Sequence, residues 1–392
     1  MSNELIRVRR DGAVAVVRYD NPPRNFLTLG VLSELRRCWA ALERDPEVHV
    51  IVFAGASDGH FMLHTEVAQI RAMLASTPPL PGPIMRLAIA AMRGVAWMLS
   101  RWPWMADRVL SARSEQAMVR SAVLEMTVLF DMIERSSKVT IAAINGSCIG
   151  GGLELALCFD QRIVLDDPDL RIGCPEVLIG LLPGFGGTQR LVRLLGASRA
   201  LDILLGGELL TARAAAEMGL ASQAHSPDEF WPSVDELASR LARRPTNAVA
   251  AIKRAIRRGG QRSLGRGLAL ELREVSRVAR TSETRESLDA YAREIERQIA
   301  LPEAQQLGLV MLAERMAGRR QITRVCDQLV CTPAGSVRSG ANSSNTVSAI
   351  TASTPSSNSP AVGTASHDSD SFATSVPPRP GAERATSIQN IE

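Results

Sequence analysis

Apolar and polar residues alternate over Leu5–Arg10 and again over Ala13–Tyr19, with Asp11-Gly12 between the two runs. That pattern predicts a β-hairpin closed by a tight turn. Leu29–Leu42 repeats its apolar positions at helical spacing, and Val48–Phe53 is a short apolar run that predicts a buried strand. Val139–Ile144 is a second such run. It breaks at Asn145-Gly146, and three glycines follow at 150, 151 and 152. Leu153, Leu155, Ala156 and Leu157 then open a helical pattern with Glu154 in its first turn. Further helices are predicted over Gln116–Arg135, Thr188–Leu195, Ala200–Leu205, Pro227–Arg243, Thr246–Arg258 and Leu264–Gln298, with a strand at Arg162–Leu165. Thr211 and Gly219 bracket another helix as cap and stop, and Thr281-Ser282-Glu283 caps the last one.

Two stretches stand apart. Between Glu66 and Lys138 the chain is Pro-rich at Thr77–Pro83 and then strongly apolar from Ile84 to Leu99, with Trp97, Trp102 and Trp104 close together. Arg86, Arg93, Arg101 and Pro103 interrupt it, so it does not read as a membrane span of about 20 apolar residues. Its apolar residues sit at helical spacings. After Pro302, Glu303–Val330 has the spacing of one more amphipathic helix. Beyond Thr332 the chain is Ser, Thr, Asn, Pro, Gly and Ala with few apolar anchors, too few to offset the entropy of ordering, which predicts disorder over 332–392.

Composition narrows the class. Of 392 residues, 45% are hydrophobic and 22% charged, a globular balance, and a net charge of +4 over that length does not describe a nucleic-acid binder. The six cysteines lack zinc-site spacing, and Cys148, Cys158 and Cys174 lie in apolar or glycine-rich context, as small core residues of a reducing compartment do. MSNELIRVRRDG contains no apolar secretory core, so a cytoplasmic location is expected.

The chemistry points to the glycine turn. A strand, a glycine-rich turn and a helix N-terminus leave backbone N–H groups directed outward, reinforced by the helix dipole. Glycines let a ligand oxygen approach the main chain closely. Developing negative charge on an oxygen suits this geometry, each donor contributing roughly 2.7–4 kcal/mol to a transition state. A phosphate would fit too, but no Gly-Lys-Ser/Thr follows, so the turn is not a P-loop. Taken alone, three glycines are equally a plain strand-to-helix turn.

GSCIGGGLELALCFD, CPEVLIGLLPGFGGTQRL and GASRALDILLGGELLTARAAAEMGLA together resemble the crotonase family, the enoyl-CoA hydratase/isomerase superfamily. The resemblance runs from about Leu5 to Arg297, densest over Lys138–Ala221, and is interrupted between Glu66 and Lys138. It implies an α/β fold, a crotonase-like spiral of ββα units over 1–225 with the apolar insertion at about 76–115. It also implies a C-terminal helical trimerisation region over 226–300, and hence a homotrimer or homohexamer. The insertion is read three ways: a cap on the acyl end of the site, added packing or subunit contact, or contact with a membrane surface through its Trp and Arg residues.

The resemblance places the carboxylates of Glu154 and Glu176 at one water molecule beside an acyl thioester, as acid and base. It places an oxyanion hole at the amides of Gly151 and Thr65, and a water-holding amide at Gly184. Arg24 falls where a basic residue meets the phosphates of coenzyme A, and His64 would touch the thioester or pantetheine. His64 and Glu66 replace the family's usual glycine and aspartate on that loop. No metal or redox cofactor is implied, since coenzyme A arrives with the substrate. Lys253, Arg254, Arg257 and Arg258 are read as a solvated face or as further phosphate contacts. Two carboxylates about 5 Å apart repel by about 3 kcal/mol at an effective dielectric of ~20, so one is expected to hold its proton. Hydration of an enoyl-CoA is the expected reaction. Δ3-Δ2-enoyl-CoA isomerisation and an inactive acyl-CoA-binding homologue are the alternatives. Singly, Glu154 is equally a helix first-turn charge and Glu176 a surface turn residue.

Overall fold

The computed structural model describes residues 5–76, 81–110 and 115–301. The expected helix over Glu303–Val330, the tail after Thr332, Cys326, Cys331 and most of the Pro-rich run lie outside the described residues.

In chain order the elements are β1 (Ile6–Asp11), β2 (Val14–Tyr19), β3 (Phe26–Leu27), α1 (Leu29–Arg44), β4 (Val50–Gly55) and β5 (Gly59–Thr65). Then come α2 (Val67–Ser76), α3 (Gly82–Arg101), α4 (Pro103–Leu110) and α5 (Glu115–Arg135). The central part holds β6 (Val139–Ile144), β7 (Gly146–Ile149), α6 (Gly151–Ala156), β8 (Gln161–Leu165) and β9 (Ile172–Gly173). The remainder is α7 (Gly187–Leu195), α8 (Ala197–Gly206), α9 (Ala212–Met218), β10 (Gln223–His225), α10 (Pro227–Ala242), α11 (Thr246–Arg254), α12 (Leu264–Val278) and α13 (Ser282–Ile299).

The strands form two sheets, one ordered β1-β2-β4-β6-β8-β10 and the other β3-β5-β7-β9. Each turn of the chain gives one strand to the first sheet, one to the second, and then helix: β4 and β5 before α2, β6 and β7 before α6. This is the ββα spiral the resemblance implies. The first hairpin is antiparallel, and the remaining strand pairs are parallel. Parallel strands covered on both faces read as unbroken apolar runs. Hence all six residues of β4 and of β6 are buried. Ile51 and Phe53 face a core shared with Trp39 and Phe159, while Val50, Val52 and Ala54 face Phe230, Val234 and Ala238 of α10.

Two strands depart from the sequence reading. β7 occupies part of what the glycines suggested was turn, and β5 occupies what the resemblance treated as loop. Both are short members of the second sheet, without a full apolar alternation. Their pairing depends on close approach: a Cβ on Gly146 would lie 2.2 Å from the His60 nitrogen. Buried Asn145 ties the strands together from the side, its Oδ1 accepting from the Gly55 amide at 2.9 Å and its Nδ2 donating to Asp58 at 2.9 Å.

The apolar insertion forms α3 and α4, with Ala96 and Leu99 of α3 buried. Ile84, Leu87 and Ile89 are exposed, and Trp97 and Trp102 meet edge to face at 6.4 Å. No described helix is long and apolar enough to cross a membrane. α5 is anchored to α1 by a buried ion pair, Arg36 Nε to Glu125 Oε1 at 2.7 Å, both side chains under 5% exposed. Glu125→Ala removes a charged hydrogen bond from a buried guanidinium and is expected to cost about 1.5–3 kcal/mol in urea unfolding; an unchanged midpoint would contradict this.

Candidate active site

The site grows from the end of β7. Gly150 sits at φ 58 and ψ −123, a conformation that only glycine adopts at low cost, and its amide donates to the Gly173 carbonyl at 2.8 Å. That sharp turn starts α6 inside the protein, with every residue from Gly151 to Ala156 buried. The first N–H groups of a helix have no partner within it, so the Gly151 amide stands at an open helix end. Thr65, the last residue of β5, lies alongside. A Cβ on Gly151 would be 3.9 Å from the Thr65 nitrogen and 3.6 Å from its hydroxyl. The two amides named from the sequence are therefore neighbours in space.

Glu154 is only 1% exposed. Its Oε1 accepts from the amides of Phe185 and Gly187, each at 2.8 Å. The loop supplying them is held by Arg190, which donates to the Phe185 carbonyl and pairs with Glu134 at 2.6 Å. Gly186, at φ 103, makes room for that arginine, since a Cβ there would lie 2.3 Å from Nη1. Gly184 is exposed on the same loop, with no atom within 4 Å of where its Cβ would be. Burial, the largest cause, pushes the Glu154 carboxyl up from 4.5 to about 7; the Gly187 and Phe185 amides oppose the rise and Glu176 adds to it. The expected asymmetry between the carboxyls thus comes first from burial and only secondarily from repulsion.

A carboxyl raised by folding favours the folded state in its neutral form. Stability at Glu154 is full below about pH 4.5 and is lost as pH rises toward 7. The loss amounts to about 3 kcal/mol. Glu154→Gln stays neutral, so it is expected to be the more stable protein at neutral pH and to flatten the fall across that window. Urea unfolding of both proteins at several pH values checks this, and equal slopes would contradict it.

Glu176 begins a single turn of 3₁₀-helix, Glu176–Ile179. Its Oε1 lies 3.0 Å from the point where a Gly150 Cβ would be, so the carboxyl lies directly against the glycine turn. Its Oε2 is buried without a hydrogen-bond partner among the described residues. Burial raises its pKa, opposed first by its own main-chain amide and then by His64. His64 is half-buried on β5, with Nδ1 2.8 Å from the Thr65 carbonyl and its ring 5.2 Å from that of Phe26. Next to Phe26, Asn25 adopts φ 51 and donates to the His60 carbonyl at 2.8 Å, joining the loop before β3 to β5. Arg24 is exposed on that loop and makes no ion pair among the described residues.

Residues 107–299 match the family model described as enoyl-CoA hydratase/isomerase. YngF, the enoyl-CoA hydratase/isomerase homologue of Bacillus subtilis, is 35% identical over 182 residues, which are 46% of this chain and 68% of that protein. The chain belongs to the enoyl-CoA hydratase/isomerase family. The crotonyl-CoA hydratase of Syntrophomonas wolfei is 28% identical over 74% of the chain and 96% of its own length. Among solved structures, an enoyl-CoA hydratase from Geobacillus kaustophilus superposes with a TM-score of 0.60 at 27% identity, covering 75% of this chain and 96% of that one. The enoyl-CoA hydratase of Bacillus anthracis gives 0.59 at 26% identity, over 74% and 96%. The two sheets and C-terminal helices are the crotonase fold.

Within this crotonase fold, Glu154, Glu176, Gly151, Thr65 and His64 gather around the Gly150 turn. The Phe185 and Gly187 amides and Arg190 were not singled out from the sequence; the signal for them was the glycine run at 184, 186 and 187. Lys253, Arg254 and Arg257 are engaged in ion pairs rather than forming a solvated face, while Arg258 is exposed. Lys253 and Arg257 pair with Asp160 at 2.6 and 2.9 Å, and Arg254 with Glu274 at 2.7 Å, tying α11 to its neighbours. Cys148, Cys158 and Cys174 are buried core residues, and burial pushes all three thiols up, away from the reactive thiolate.

Proposed function

We propose that this crotonase-family protein is an enoyl-CoA hydratase. The observation that carries the reading is a pair of electrostatically coupled carboxyls: Glu154, held by the Phe185 and Gly187 amides and pushed to about 7, and Glu176, set against the Gly150 turn with a buried Oε2 that has no partner among the described residues. Addition of water to a conjugated thioester needs a base for the water proton, an acid for the α carbon, and donors for the charge that gathers on the thioester oxygen. In this reading Glu154 and Glu176 hold one water between them. One takes its proton as oxygen bonds to the β carbon, and the other delivers a proton to the α carbon. The amides of Gly151 and Thr65 receive the enolate oxygen, and the Gly184 amide steadies the water. Side-chain identity at Thr65 matters little for an amide donor, so the departure at His64 and Glu66 leaves that role intact.

Arg24, exposed on the loop before β3 and in no ion pair among the described residues, is available to the phosphates of coenzyme A. Assembly as a trimer or a dimer of trimers belongs to the same proposal. It is supported by α12, where Leu264, Leu268, Leu272 and Val275 are more than half exposed at helical spacing. Capping of the acyl end by α3 and α4 is proposed on their apolar exposed residues. Mixing the chain with crotonyl-CoA and with longer and branched 2-enoyl-CoAs tests the activity. Loss of the conjugated-thioester absorbance is expected, and binding without any loss across the panel would refute it.

A further inference from the structure

The loop that holds Glu154 is itself gripped by one side chain. Arg190 lies in the first turn of α7 and folds back over the loop that leads into that helix. Its main-chain amide donates to the Gly186 carbonyl at 2.8 Å, and its Nη1 donates to the Phe185 carbonyl at 2.6 Å. Its Nε donates to Glu134 Oε1 of α5 at 2.6 Å, and the guanidinium lies over the Phe130 ring, 5.4 Å from its centroid. Phe185 is thus bonded on both sides of its plane of contact: the carbonyl to Arg190, and the amide to Glu154 Oε1 at 2.8 Å. Gly187, the first residue of α7, gives Oε1 its second donor at 2.8 Å. An N–H group cannot accept, so the proton of a neutral Glu154 resides on Oε2 for as long as both amides stay on Oε1.

We infer that Arg190, braced by Glu134, is a positioning residue for Glu154: by fixing the Phe185–Gly187 loop it keeps two amides on Oε1 and leaves Oε2 as the oxygen that exchanges the proton. The inference rests on the hydratase reading for its consequence in turnover, but the contacts exist without substrate. A planar guanidinium suits the task, because its donors leave in fixed directions and reach a carbonyl and a carboxylate at once. Gly186 is the other half of the fit, since a Cβ there would lie 2.3 Å from Nη1. A plain staple between α5 and α7 would act on stability alone. Positioning acts on the proton as well, because hydrogen bonds to a carboxylate favour its charged form. The Gly187 and Phe185 amides oppose the rise that burial gives Glu154, and the charge of Arg190 opposes it too, while Glu176 adds to it. Cys158 and Cys174 also couple to this carboxyl, and burial holds both thiols neutral. Glu134 is paired with Arg190 at 2.6 Å. Loosening the loop and removing the cation therefore move Glu154 in the same direction, upward.

The experiment is a carbon-13 NMR titration of carboxyl-labelled glutamate in the intact protein, with the Glu154 signal assigned by its loss in Glu154→Gln. In Arg190→Met the Glu154 midpoint is expected to rise by about one unit. Steady-state hydration of crotonyl-CoA adds a second readout: kcat should fall about 10- to 100-fold with KM little changed. Arg190→Lys keeps the charge but not the two-way fork, so its midpoint and kcat should lie between those of the wild type and Arg190→Met. A folded Arg190→Met protein whose midpoint and kcat both stay put overturns the inference, and a lower melting temperature as its only change would make Arg190 a staple between helices instead. Where Arg190→Met does not fold, Arg190→Lys decides alone, and wild-type values for both readouts overturn the inference. If the wild-type protein turns over no enoyl-CoA, the hydratase reading fails while the carboxyl titration still decides the role of Arg190.

Discussion

Replacing Glu176 or Glu154 by Gln is expected to lower kcat for hydration by about two to four orders of magnitude each. Gln keeps the size and one oxygen of the carboxyl but can neither take up nor release the proton. For Glu154 the fold tolerates the change, because the Gln oxygen still accepts from the Phe185 and Gly187 amides now bonded to Oε1. The variant should therefore be folded, and KM should change little, since coenzyme A is read as held by groups outside the carboxyl pair. The double variant is expected to be little slower than either single one, because acid and base act as a unit and removing one already disables it. Absorbance assays with crotonyl-CoA supply these numbers. A single variant that loses hydration yet still moves a double bond from the 3 to the 2 position would favour the isomerase alternative, which needs one acidic group.

Gly152→Ala is expected to be the most damaging single-methyl change near the site. The added Cβ would lie 2.1 Å from the Met62 carbonyl oxygen and 2.8 Å from its carbon, both main-chain atoms of β5 that cannot rotate away. Either α6 or β5 must shift, and with it the Gly151 and Thr65 amides. The cost is expected to reach about 3 kcal/mol or more. Hydratase activity should be lost even in whatever fraction folds. Gly265→Ala, with nothing within 4 Å of the new methyl, is the control and should unfold as the wild type does. Thermal unfolding of the two variants side by side checks the contrast.

The first sheet and the helices were readable because their signals are local. Val139–Ile144 is apolar apart from Thr140, whose hydroxyl donates to Asp160, because both faces of β6 are covered, and Thr211 and Gly219 mark α9 at both ends, the Thr211 hydroxyl accepting from Ala214 N and Gly219 lying at φ 85. Glu154 and Glu176 were readable through the motifs around them. What the sequence hid depends on distant contacts. β5 and β7 look like loop and turn because their strand character comes from pairing with each other, made possible by Gly146. The clamp on Glu154 is made of main-chain amides, which leave no side-chain signature beyond the glycines that let the loop bend. Lys253 and Arg257 read as surface charge because their partner, Asp160, lies about a hundred positions earlier in the chain. The source of the carboxyl asymmetry was hidden for the same reason: burial of Glu154 is a property of the assembled fold.

The account rests on two acidic side chains acting on one water beside a pair of main-chain donors. Turnover of crotonyl-CoA in heavy-oxygen water, followed by mass spectrometry of the acyl product, tests this most directly. The predicted result is one labelled oxygen at the β carbon with the wild-type protein, and a rate of incorporation lower by orders of magnitude with Glu154→Gln or Glu176→Gln. An acyl chain that comes back unlabelled from the wild-type protein, or incorporation that survives both replacements, would contradict it.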